Sequence, residues 1–327
     1  MLTRKELSDW LNSDEPEADL FISNGNLVNV HTKEVHSADI AIKGDRIAMV
    51  SDEANVLVGE STKVIDAEDK FITPGLIDTH FHVAGTYLTM TKLAEALLNR
   101  GTTAIATDFY EYGAVSGVEA IKFALKESKE TPLKILFNVP LLAYYQNNPF
   151  GNTDKVQPKE LSKMISWPDT VAINEVQSIM LDDPEVKKLV EKSFNHGKAI
   201  QGHAPLPSEK ELAALQALGP SSDHESIKSE EVLEKIRRGV KIMIREGSAA
   251  TNLNNVIEVL TENKVASRHF MFCTDEEDAL DLSSLGHMDF KVKKAISRGL
   301  DPVTAVQIAT INAAEFFKVD DELGSIA

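Results

Sequence analysis

The sequence predicts an α/β fold, a (β/α)8 TIM-type barrel with a small, incomplete β-rich unit ahead of it. Three observations carry that expectation. From Phe71 onward, eight short apolar or β-branched runs alternate with stretches of helical period. Most of those runs end in an ionisable residue, the position that a barrel turns toward one common mouth. Residues 18–70 have another texture, with alternating segments broken by Asn-Gly and Gly-Asp turn signals.

Taken in order, residues 1–17 read as a short amphipathic helix, with Leu2, Leu7, Trp10 and Leu11 on one side, and an acidic linker around Pro16. Residues 18–70 read as short antiparallel strands, too thin a unit to hold a core alone. Residues 71–327 form the barrel, with strands expected at 75–78, 103–107, 134–139, 171–174, 199–201, 220–222, 240–244 and 270–273. Helices are expected at 91–99, 116–128, 184–196, 208–218, 229–238 and 252–263. Ser116, Ser208 and Ser229 stand as N-caps. The sixth strand is the weakest. Neither GxGxxG nor GxxxxGK[ST] follows an early strand, which argues against a nucleotide-binding open sheet.

Composition narrows the chemistry. With 43% hydrophobic and 26% charged residues, the 327-residue chain can bury a large core. Its 34 Lys+Arg against 51 Asp+Glu, a formal charge of -17, argue against nucleic acid as a partner. The single Cys273 forms no intramolecular disulfide. No apolar run approaches the roughly 18 residues that span a bilayer, and the charged N-terminus is no signal peptide. A soluble, cytoplasmic chain with no membrane partner is expected.

The strand ends then matter most. His80 and His82, two residues apart on a strand, face the same side, as ligands to a divalent metal would. Asp108 ends the second run, Glu175 the fourth, His203 the fifth, and Asp223-His224-Glu225 the sixth. Arg245-Glu246 end the seventh and Asp275 the eighth. Four histidines and two carboxylates converging on one mouth suit two adjacent metals, with a shared carboxylate offsetting their repulsion. His31, His36, His196, His269 and Cys273 are read as structural, and the Glu/Lys-rich segments 159–165 and 229–238 as solvated outer faces.

At these residues a family resemblance emerges. PGLIDTHFH (74–82), GTTAIATD (101–108), Glu175, GHAPL (202–206), SDHES (222–226), RRGVKIMIREGSAATNL (237–253), FCTDE (272–276), GHMD (286–289) and DPVTAVQIATINAAEFF (301–317) resemble the adenine deaminases of the amidohydrolase superfamily. The resemblance covers nearly the whole chain from Ala18. It implies that Glu175 bridges two divalent transition-metal ions, one held by His80 and His82 with Asp275, the other by His203 and His224. It favours Mn or Fe(II), with Zn open. Asp275 would shuttle the proton and Glu246 would assist catalysis, while Glu111, Asp108, His287 and Glu225 would contact a small purine. The implied reaction is hydrolytic deamination of adenine to hypoxanthine and ammonia by a metal-activated hydroxide, in a possible homo-oligomer. Ala84 and Tyr110 replace the family's usual Glu and His, which motivates an alternative, hydrolysis of a cyclic amide or another aminated heterocycle. A barrel that binds a purine or metal without turnover is a third reading. In this family the segment matching 321–327 runs on to complete the small β unit, so strands near 21–30 and 40–50 are expected to be less covered here.

Overall fold

The computed structural model describes residues 2–145, 156–263 and 265–327. The chain divides into two compact units, Met1–Pro74 with Ser325–Ala327, and Gly75–Gly324.

In the first unit, β1 (Leu20–Asn29), β2 (Glu34–Lys43), β3 (Arg46–Val50) and β4 (Lys63–Asp66) lie in the order β3-β2-β1-β4, with β5 (Phe71–Ile72) also on β1. The first three are antiparallel, and Gly44 turns β2 into β3 at φ +58°. The expectation of a purely antiparallel unit is corrected at β4 and β5, which run parallel to β1. A long link between β3 and β4, containing a 3₁₀ turn at Ala54–Leu57, replaces the tight turn an antiparallel pair would use. Ala54 and Leu57 are buried with Ala18, Phe21 and Ala41, and Trp10 and Leu11 of the N-terminal helix Arg4–Leu11 pack against them. Thr3 and Glu6 close a capping box on that helix. A cavity of about 330 Å³ lies among Leu27, Ile47, Met49, Ile326 and Ala327.

In the second unit, β6 (Leu76–Asp78), β8 (Thr102–Thr107), β9 (Lys134–Pro140), β10 (Thr170–Gln177), β11 (Ala199–His203), β12 (Ser222–Asp223), β13 (Lys241–Arg245) and β14 (Phe270–Cys273) form one parallel sheet in sequence order. Two short strands beyond its rim, β7 (Phe81–His82) and β15 (Asp275–Glu276), pair with each other. The seam between β14 and β6 is closed by backbone and side-chain hydrogen bonds together. Thr79 donates to Phe272 O through its amide (3.3 Å) and its hydroxyl (2.8 Å), and Thr274 N donates to Asp78 Oδ1 at 3.1 Å. The expected barrel is therefore present.

Alternate strand residues divide between two packing layers, as a period of two requires. Ile105, Phe137, Ile173 and Ile200 pack with Leu93, Ile121, Leu161 and Leu189 of the surrounding helices. The small or slender Ala104, Ala106, Ala172, Met243 and Met271 cluster on the other face with Phe316. Among the described residues no helix is long and apolar enough to cross a membrane.

Three expected details change. Ser208 caps its helix with Glu211, but Ser229 is the first helical residue after Lys228, which makes no side-chain cap. Ser116 lies inside the helix Tyr110–Ser128, at a kink where it and Gly117 leave helical φ/ψ. That helix starts early because Asp108 Oδ1 accepts Tyr110 N at 3.1 Å.

Candidate metal centre

The seam that closes the barrel also presents the first histidine pair. Asp78 Oδ1 accepts His80 N (3.1 Å), and His80 O accepts Asp275 N (2.8 Å). The Nε2 atoms of His80 and His82 stand 3.1 Å apart with their rings crossed at 86°. Asp275 holds φ +66° and sets Oδ1 3.4 Å from His80 Nε2 and 3.3 Å from His82 Nε2.

The second pair stands beside the first. His203 Nδ1 and His224 Nε2 are 3.2 Å apart, and the His224 ring stacks on His80 at 4.2 Å. Glu175 lies between the pairs. The register of β10 on β11 shifts between Ile173 and Val176, and within that bulge Glu175 takes φ +53°, which re-aims its side chain. Its Oε1 is 2.9 Å from His82 Nε2 and 3.4 Å from His80 Nε2, while Oε2 is 3.6 Å from His203 Nδ1. The strand thus extends past the expected end at 174, and the carboxylate is buried within it.

This donor set fits divalent cations. Imidazole nitrogens about 3 Å apart, edged by carboxylate oxygens, are the mixed N/O environment that first-row metals take. Four groups present ligand atoms within 4.8 Å of one another: His80/His82/Asp275, His80/Glu175/His224, His203/His224/Glu225 and His82/Asp108/Glu111. Burial, helped by the charge of His80, pushes His224 down to about 3, leaving it in the neutral form that binds metal. Burial is the largest single effect on His82 and opposes its charge, but the hydrogen bond to Glu175 together with the charges of Glu175 and Asp108 outweighs it and raises His82 to about 9. Against the same opposition, His80 and His82 hold Glu175 well below the carboxylate range.

The remaining expected residues ring this cluster at different depths. Asp108 is buried, accepts Asn174 Nδ2 at 2.9 Å, and lies 3.9 Å from His82 Nδ1; burial raises its pKa. Glu111 Oε1 lies 3.8 Å from the same nitrogen, and burial lifts Glu111 to about 7. Glu225 Oε1 is 3.5 Å from His224 and 3.8 Å from His203. Glu246 pairs with Lys294 at 2.6 Å, and its Oε2 is buried without a hydrogen-bond partner among the described residues. His287 is fully buried, with ring nitrogens 3.0 Å from the hydroxyls of Thr102 and Thr274 and 3.1 Å from Asp78.

Two cations escape the sequence-level site. Arg245 Nη1 bonds both Glu225 and Asp275 Oδ2, the latter at 2.8 Å; its strand-end position was the available signal. Lys235 belongs to the segment read as a solvated outer face, yet it is buried against Asp223 at 2.8 Å. Cys273 is fully buried, which pushes its thiol well up.

Residues 71–327 match the Amidohydrolase family. The chain belongs to that family. Membership implies divalent metal ions, and the histidine–carboxylate groups above are the candidates to hold them. This amidohydrolase is 37% identical over 314 residues to "Adenine deaminase 1" of Latilactobacillus sakei, covering 95% of the chain and 53% of that protein. It is 38% identical to an adenine deaminase of Moorella thermoacetica, covering 95% of the chain and 52% of the relative. The chain thus spans about half the length of the curated relatives it matches. Among solved structures, a β-aspartyl dipeptidase from Fervidobacterium islandicum AW-1 superposes with a TM-score of 0.69 at 17% identity, over 94% of this chain and 89% of that one. That likeness concerns the fold alone.

Proposed function

We propose that the chain carries the centre of a binuclear metal-dependent aminohydrolase that converts adenine to hypoxanthine and ammonia. The observation that carries this reading is Glu175, with one oxygen toward His80 and His82 and the other toward His203. The names of the adenine deaminase relatives support the substrate. The two histidine pairs with Glu175 and Asp275 would hold manganese or ferrous iron, which would supply Lewis acidity that eases deprotonation of water near neutral pH.

Asp275 acts as base and then acid. Its Oδ1 faces the ligand nitrogens, while Arg245 holds Oδ2 and keeps the carboxylate oriented. Water adds to C6 of the purine, Asp275 takes its proton and passes it to the exocyclic nitrogen, and the C6–N6 bond breaks to release ammonia. Glu111, titrating near 7, can donate as well as accept a hydrogen bond at a purine edge. Asp108 and Glu225 flank the reacting centre, and Glu246 offers its unpartnered Oε2. His287 acts from beneath through Asp78. A second reading, a cyclic amide or another aminated heterocycle, rests on Tyr110, whose ring stands edge-on to His82 at 5.0 Å and narrows that side.

Metal content and an adenine assay test the proposal together. Two tightly held ions per chain and a spectral change to hypoxanthine are expected. Fewer than one ion per chain would sink both enzyme readings. Full loading without adenine turnover, but with ammonia released from another heterocycle, would select the second.

A further inference from the structure

We infer that Lys235 is a positioning residue for the His203–His224 pair, setting the affinity of that pair's ion without touching it. The inference rests on the binuclear reading above.

Lys235 projects from the helix Ser229–Arg237 and is only 1% exposed, a position where an ammonium group is rarely found unless paired. Its Nζ, with three N–H donors to share, stands within hydrogen-bonding distance of four acceptors: Ala204 O (2.7 Å), Asp223 Oδ2 (2.8 Å), Glu231 Oε1 (2.8 Å) and Ser226 Oγ (2.9 Å). Ala204 directly follows His203, and Asp223 directly precedes His224. The two segments that present the ligands therefore meet at one nitrogen.

The acceptors spread that hold further. Asp223 Oδ1 accepts Ala204 N (2.9 Å), while its Oδ2 accepts Ser226 N (3.0 Å) and Ser226 Oγ (2.7 Å). Glu231 Oε1 also accepts Leu206 N at 3.2 Å. His203 ends β11 opposite Gln177 of β10, but backbone pairing gives the His224 side little else, because β12 is only two residues long. The cavity bordered by Ala204, Asp223 and Lys235 measures about 10 Å³, so a replacement water has scarcely room to enter. Burying an ammonium among carboxylates is an expensive way to gain stability alone. It does fix the separation of the segments that leave β11 and β12, immediately after His203 and around His224.

The test compares manganese-loaded wild type with Lys235→Met and Glu231→Gln, using His203→Ala as the one-ion reference. Ions per chain are counted by mass spectrometry after gel filtration, and coupling between ions is read by electron paramagnetic resonance. Two coupled ions are expected in wild type. Lys235→Met should hold one, with the uncoupled signal of His203→Ala. Glu231→Gln should weaken the second ion by about 10–100-fold and leave the first unchanged. A purely structural lysine would instead lower the unfolding midpoint while both ions kept their affinities. Wild-type affinity for the second ion in Lys235→Met overturns the inference; where that variant fails to fold, the same result in Glu231→Gln does so. Fewer than two ions in wild type removes the binuclear reading and this inference with it, whereas two ions in both wild type and variants removes the inference alone.

Discussion

His80 and His82 stand on backbone bonded to the neighbouring barrel seam, whereas His203 ends β11 and His224 follows the two-residue β12, and side chains join the segments that leave these two strands. In the first pair, β7 runs beside β15 with Phe81 opposite Asp275 and His82 opposite Glu276. Thr79 and Thr274 stitch the same seam from below. In the second pair, β11 ends at His203 against β10, β12 contributes only two residues before His224, and the Lys235–Asp223 ion pair fastens the segments that follow to each other. Exposure does not divide the two pairs. His80, His82 and His224 are buried, and of the four only the His203 side chain is partly open, 27% exposed. A ladder fixes a ligand through many weak, short-range bonds; a buried ionic hub fixes it through one charge, whose removal is felt at once.

The largest effect is expected where the first pair meets chemistry. Asp275→Asn should lower kcat by about 10²–10⁴-fold while most metal is retained, because the amide keeps a coordinating oxygen but cannot carry the proton. Steady-state kinetics on protein of measured metal content checks this. Retained turnover would refute the shuttle role. Loss of only the second ion would break the comparison, since Asp275 would then belong to the wrong pair.

Asp223→Asn addresses the second pair. It leaves the Lys235 ammonium buried with one of its two carboxylates, Glu231, both of which lie at 2.8 Å, and should destabilise the protein by about 2–3 kcal/mol at pH 7 in urea denaturation. The pH dependence has a definite sign. Burial alone would raise the Asp223 carboxyl, but Lys235, His224 and Ser226 hold it below its ordinary value. Its contribution is therefore present above the unfolded pKa of about 3.9 and is lost as pH falls through the lower folded value. Wild type and Asp223→Asn should converge in stability only in that acid range. Convergence already near pH 6 would mean that the hub does not carry the charge pairing.

Much of this difference lies at the limit of what a sequence reveals. Strand runs such as Phe270–Cys273 are legible because their apolar character is local. That the six expected ligands converge is legible because a barrel brings strand ends together whatever the loops between them do. Glu175 resists boundary reading because its bulge and positive φ depend on pairing with β11, a contact between segments far apart in sequence. Lys235 is harder still. In SEEVLEKIR it looks like any solvated helix lysine, and only the fold shows that Ala204, Asp223 and Ser226 converge on it. Polar groups whose partners come from distant loops leave no periodic trace.

The smallest of the three effects sharpens the first half of the comparison. Thr274 Oγ1 donates to Asp78 Oδ2 and lies 3.0 Å from His287 Nε2, while its backbone N separately donates to Asp78 Oδ1. Thr274→Val keeps the shape and the backbone bond but removes the hydroxyl. The loss should be about 1–2 kcal/mol of stability, since a buried carboxylate gives up one of several donors. His80 should hardly notice, because Asp78 Oδ1 still accepts His80 N at 3.1 Å and Asp275 N still reaches His80 O. Urea denaturation and metal titration separate these outcomes. A modest stability loss with both ions bound at wild-type affinity is what a ladder-held pair requires. A tenfold weakening of the first ion would instead show that this pair, too, depends on its buried side chains, and the contrast between the two halves would fall away.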